Sequence, residues 1–313
     1  MIGLPALYAV AGVVFAGWAL TTLLDGQHTK RLAGAAFWAL LAAEFLVGDA
    51  LGDTGNGVLL LALVALALLG APGKGHPATT SVAERRASAA AHGNRLFLPA
   101  LIMPTVALAG TFAFPMLPWL VDPRQVTLVS LGLGAIIAAA VLMLWLRPPA
   151  AAPLQEGRRL AEGVGWAMLL PQTLASLGAV FTVAGVGDIV GSLAPLAIAE
   201  GSRLAAVVAF TGGMAIFTIM MGNAFAAFPV MMGGIGLPVL VFGLGGNPVV
   251  VGAVGMLAGF CGTLLSPMAA NFNIVPAALL ELPDRYAVIR AQWPTAVLLW
   301  LFNTAMIWGF AFR

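Results

Sequence analysis

Charged side chains are scarce in this sequence. Only 8% of its 313 residues are Asp, Glu, Lys or Arg, against 61% apolar, whereas a soluble domain carries about a quarter charged residues. With a mean hydropathy of +1.01, that shortage excludes a water-soluble fold. Cysteine is almost missing as well: Cys261 stands alone, so no intrachain disulfide can form, and its place in an apolar run marks it as a core residue. No His-Glu-x-x-His, Gly-x-Ser-x-Gly or phosphate-loop pattern occurs, so no enzyme chemistry, metal site or organic cofactor is expected. The 14 Lys and Arg barely outnumber the 12 Asp and Glu. Because the basic residues sit in short loops between apolar runs, they report membrane topology and not a nucleic-acid surface.

What the sequence does have is hydrophobic length. Apolar runs fall near 2–24, 32–52, 57–72, 96–120, 126–146, 164–190, 203–221, 224–243, 247–280 (interrupted in its middle) and 294–312. At about 20–25 residues per crossing, this predicts an all-α integral membrane protein of about ten transmembrane helices. The first run has no basic residue ahead of it and Lys30 and Arg31 behind it, so it reads as a retained helix and not as a cleaved leader. Alternate crossings gather Lys30, Arg31, Lys74, Arg85, Arg86, Arg95, Arg147, Arg158 and Arg159 on one face and only Arg124 on the other. The positive-inside rule makes the first face cytoplasmic and puts the N-terminus outside. The polar stretch 73–95 reads as a cytoplasmic connector whose His76 and His92 lack metal-ligand spacing. A Pro- and Ala-rich linker at 148–163 divides helices 1–147 from a C-terminal half, 164–313.

Two interruptions in that half carry the chemistry. Met220-Met221-Gly222-Asn223-Ala224 sets a polar pair between apolar segments, where lipid satisfies no free backbone group. Asn223 predicts an N-cap for a helix opening at Ala224, with its free N–H groups and positive dipole end available to an anion. In the second, Thr263, Ser266, Pro267, Asn271 and Asn273 break the run that starts at Asn247. Ser266-Pro267 reads as an N-cap followed by a first helical position. Paired discontinuous helices point to the binding site of secondary transporters with inverted repeats. The first half, up to Arg147, shows no counterpart, so the sequence predicts that a second chain completes the repeat, either a companion membrane subunit or another copy.

Acids inside apolar runs are functional candidates by default. Asp188, Glu44 and Asp49 are the candidates for coupling to an ion, either a proton or Na+. Gly185-Val186-Gly187-Asp188 also matches the Gly-x-Gly-Asp signature of intramembrane aspartyl proteases. That chemistry needs a second carboxylate, which in those enzymes follows a tyrosine; here Tyr8 and Tyr286 precede Ala9 and Ala287.

The runs Gly222–Met231 and Gly262–Asn273 resemble an uncharacterised bacterial membrane family, domain of unknown function nine-seven-nine, most closely from about Trp166 onward. The resemblance implies a subunit of a 5-oxoproline (pyroglutamate) transporter in the bacterial inner membrane, working with a second small membrane protein of a companion family. The order of hairpin and broken helix also looks like the ion-transporter superfamily, whose Ser-Asn-Thr tips hold carboxylates and sodium. Here Gly222-Asn223-Ala224 lacks those hydroxyls, which weighs against sodium at this tip. A ligand with one carboxylate and one lactam suits helix openings at Asn223 and Ser266, with an Asn side chain pairing the lactam. The alternatives are a complete homodimeric carrier for another small carboxylate, or a protease.

Overall fold

A computed structural model describes residues 2–77, 79–117, 119–198, 202–280 and 282–312. Among these the only β pairing is an isolated bridge between Ile2 and Val121; the remaining regular secondary structure is helical. Eight helical stretches are long and apolar enough to cross a bilayer, with Pro248–Thr263 a shorter apolar helix besides. The protein is therefore an all-α, multi-pass membrane protein. The sequence-based count of about ten differs from eight because two runs merge in the second helix and the run from 247 yields only the short Pro248–Thr263. The chain separates into two compact units, Met1–Gly165 and Trp166–Arg313.

The first unit is built from α1 (Leu4–Leu24), α2 (Arg31–Leu68), α3 (Val82–His92), α4 (Leu98–Ala113), α5 (Val126–Leu146) and α6 (Ala152–Val164). Continuous by hydrogen bonding, α2 nevertheless leaves helical geometry at Gly52, where φ is 64° and ψ −178°. The Asn56 amide then reaches back to the Gly48 carbonyl at 2.9 Å, and Thr29 N–H meets the Lys74 carbonyl at 3.1 Å. Residues 31–51 and 53–68 are thus two antiparallel arms, close to the separate runs 32–52 and 57–72 that the sequence shows. Apolar side chains on α1 and on the first arm interlock as aromatics, with Trp18 and Phe37 each meeting Trp38 edge-on at 5.1 Å. The polar connector forms α3, opened by a capping box in which Ser81 and Glu84 satisfy each other's backbone amides.

The stretch 148–163, expected as a linker, is largely the amphipathic α6. Its Leu154 carbonyl accepts the Trp18 indole N–H at 2.9 Å.

The second unit comprises α7 (Leu170–Val183), α8 (Val186–Ala197), α9 (Arg203–Met221), α10 (Ala224–Met231), α11 (Pro248–Thr263), α12 (Ile274–Leu279) and α13 (Ala287–Phe310). After α10 the helix continues as a wider π winding over Met232–Gly243. The sequence predicts one run over 164–190, but the helix breaks at Ala184–Gly185, Gly185 having φ +70°. Its two halves lie along the α10 stretch: Gly178 against Ala226, and Gly187 and Gly191 against Gly234. The core of this unit gathers Phe210, Met214, Met231, Leu240, Val251 and Ile307. Cys261 is buried, as a core residue should be.

Candidate functional site

Helices α9 and α10 form a hairpin. Gly222 ends α9 in the left-handed conformation (φ +71°), its N–H bonded to the Thr218 carbonyl at 2.7 Å. Asn223 opens α10 as an N-cap, its side-chain oxygen accepting Phe225 N–H at 2.8 Å. The expected turn and cap are both present. Ala227 N–H bonds to the Asn223 carbonyl, so among the described residues the Ala224 and Ala226 amides, on residues that are themselves buried, are the two of the first turn without an acceptor in the protein.

The second interruption lies directly against this tip. α11 ends at Thr263, and the chain passes through turns until α12 begins at Ile274. A Cβ at Gly222 would stand 2.5 Å from the Met268 carbonyl oxygen, so only glycine allows both the backbone angle and the contact. The Ser266 hydroxyl donates to the Ile219 carbonyl at 2.6 Å and accepts Met268 N–H at 3.1 Å. Ser266-Pro267 accordingly starts a turn and not a helix: the serine oxygen is committed two residues ahead, and the helix waits for Ile274.

Side chains expected to face a ligand divide into two groups. Asn273 is fully buried, its amide donating to the Thr263 and Ser266 carbonyls at 2.8 and 2.6 Å, while its oxygen accepts the Gln292 amide from α13. The Thr263 hydroxyl donates to Phe260. These two and Ser266 close the break from within. Asn271 and Pro267 are exposed, Asn223 is half-buried and Ala224 is buried. Thr218, which sequence reading passed over, has a fully buried hydroxyl with no hydrogen-bond partner among the described residues. A Cβ at Gly259 would touch both that oxygen, at 3.4 Å, and the Ala224 Cβ, at 3.2 Å, which places the orphan hydroxyl beside the first residue of α10. Behind the break, Leu264, Gln292 and Thr295 line an open groove of about 560 Å³.

Within the second unit, Asp188 does not join the tip. Asp188 is exposed in the first turn of α8, where neighbouring Gly187 packs on Val230 and Gly234, about two turns further along from Asn223. Glu44 is half-buried in the first arm of α2 and Asp49 is exposed near its turn; both belong to the first unit. Among the described residues no three His, Cys, Asp or Glu side chains are grouped to hold a metal.

The first unit contains a buried charge cluster that the sequence did not announce. Arg158 and Glu162 are 3% and 4% exposed and bonded to each other at 2.7 Å. Arg158 also pairs with Asp25, and Glu162 accepts the Gly75 N–H at 2.8 Å. The His28 Nδ1 accepts Lys30 N–H, and its Nε2 stands 3.3 Å from Glu162. Burial raises the Asp25 carboxyl, but the His76 backbone N–H, the Arg158 guanidinium and the Gln27 N–H outweigh it and hold Asp25 below the usual carboxylate range. Only the four-residue spacing of Arg158 and Glu162 on α6 was visible beforehand; the loops bearing Asp25 and Gly75 come from far along the chain.

These features belong to a helical membrane protein in which a hairpin tip meets an interrupted helix. The chain matches the family described as Protein of unknown function (DUF979) over residues 5–312 and belongs to it. No curated protein and no solved structure matches it.

Proposed function

We propose that this chain is a non-enzymatic subunit of a secondary transporter for 5-oxoproline or a similar small organic anion in the bacterial inner membrane. The observation that carries this reading is the contact of Gly222 with Met268, which brings two backbone interruptions to one place in a unit otherwise made of apolar helices. Free helical amides gathered at one spot suit a carboxylate, and irregular backbone inside a membrane protein persists where it is buried in protein or borders a cavity. In this reading the Ala224 and Ala226 amides hold the anion and the Thr218 hydroxyl lies beside them. Asn271 replaces Asn273 as partner for the lactam, since the hydrogen bonds of Asn273 are already directed within the break.

An ion gradient, of protons or sodium, drives the cycle, with Asp188, Glu44 and Asp49 as the coupling candidates. The other half of the repeat comes from a second membrane subunit. Uptake of labelled 5-oxoproline into proteoliposomes tests both parts, with this chain alone, its genomic neighbour alone, and the two together. Uptake only by the pair is the expected result. Uptake by this chain alone makes it a complete homodimeric carrier, and no saturable uptake of any small carboxylate under either ion gradient removes the transport reading.

A further inference from the structure

The apolar α5 ends at Leu146, followed by Arg147, so its last turns lie where hydrocarbon gives way to headgroups. A cavity of about 520 Å³ opens there, a size suited to a small ligand. Ala139, Leu142 and Met143 of α5 form its apolar floor, while Thr80, Glu84 and Arg85 before and on α3, with Glu156 on α6, supply its polar rim. The floor is lipid-like and the rim charged, so the cavity matches a molecule that is apolar at one end and ionic at the other.

The rim's chemistry narrows the class. Arg85 makes no ion pair within 4 Å among the described residues, and although its charge helps to hold the Glu156 carboxyl low, its N–H groups stay open to a phosphate. Glu84 uses its Oε2 on the capping box of α3 and keeps its Oε1 for another donor. Glu156 accepts from Thr79 and from Arg159 and adds a second carboxylate. Glu84 and Glu156 set against Arg85 and Arg159 leave the rim close to neutral, which suits a zwitterionic headgroup better than a purely anionic one. A quaternary ammonium is recognised by aromatic cages, and no aromatic residue lines this cavity. We propose that the cavity binds the headgroup of an aminophospholipid of the phosphatidylethanolamine type, phosphate on Arg85 and ammonium on Glu84 and Glu156, with the upper acyl chain along Leu142 and Met143. The site is independent of the transport reading.

Native mass spectrometry of the full chain, released from bilayers of equal parts phosphatidylethanolamine, phosphatidylglycerol and phosphatidylcholine, tests this. About fivefold enrichment of the ethanolamine lipid over each of the others is expected. Arg85→Ala should remove the enrichment, and Glu84→Gln, which keeps a capping-box residue, should reduce it, while Arg86→Ala should leave it intact with an unchanged melting temperature. Equal retention of the ethanolamine and choline lipids, preference for the glycerol lipid, or undiminished enrichment in Arg85→Ala overturns the assignment.

Discussion

The Ser266 hydroxyl donates to the carbonyl of Ile219, in the last turn of α9, at 2.6 Å. Carbonyls at a helix end have no partner within the helix, and here a side chain from a segment 47 residues away supplies one. The same oxygen accepts Met268 N–H, so one hydroxyl ties the hairpin to the break. Ser266→Ala should lower stability by about 1–3 kcal/mol, seen as a reduced melting temperature in detergent. An unchanged value would mean that the contact contributes nothing.

Asn273 and Asn271 should behave oppositely. Asn273→Ala strands the Thr263 and Ser266 carbonyls and the Gln292 amide, and should destabilise by several kcal/mol, since each buried polar group left unpaired costs roughly 1–3 kcal/mol. Asn271→Ala removes an exposed side chain and should leave stability within about 0.5 kcal/mol of its original value, with little change in melting temperature. If 5-oxoproline is the ligand as proposed, Asn271→Ala should abolish the stabilisation that adding it gives. Ligand stabilisation surviving in Asn271→Ala would exclude that side chain from binding.

Much of this region was legible in the sequence. Gly222 and Asn223 carry their roles in their chemistry: one tolerates the left-handed angle and the other caps a helix. Ser266 misled, because a serine before proline fits a helix start and a tight turn equally well, and only the position of Met268 decides between them. The break at Gly185 was hidden for a related reason: Gly185 and Gly187 leave the run apolar enough to read as continuous. The cluster around Arg158 could not be read, since two loops converge on α6 by tertiary packing alone.

Thr218 provides a sharper separation of stability from function. Replacing its unpartnered hydroxyl by a methyl in Thr218→Val removes a desolvation cost, so stability should stay equal or rise. Anion uptake by the reconstituted transporter should fall if that hydroxyl serves the ligand. Full uptake with raised stability would assign the hydroxyl no part in transport.

Asp25 gives a pH signature. Its folded carboxyl is held lower than the unfolded one, so its contribution is complete above the unfolded value of about 4 and disappears as pH falls through the folded value. Melting temperature should therefore drop on acidification below about pH 4, and Asp25→Asn should flatten part of that drop while lowering stability at neutral pH. Gly75→Ala should disturb the same cluster without changing a charge, because a Cβ there would lie 2.2 Å from an Arg158 nitrogen and 2.6 Å from an Asp25 oxygen.

The internal bonding of Asn273, Ser266 and Thr263 has a consequence for the unloaded protein. A gap whose amides and hydroxyls already answer one another does not depend on cargo to hold its shape. The break can therefore keep its form whether or not anything is bound beside it.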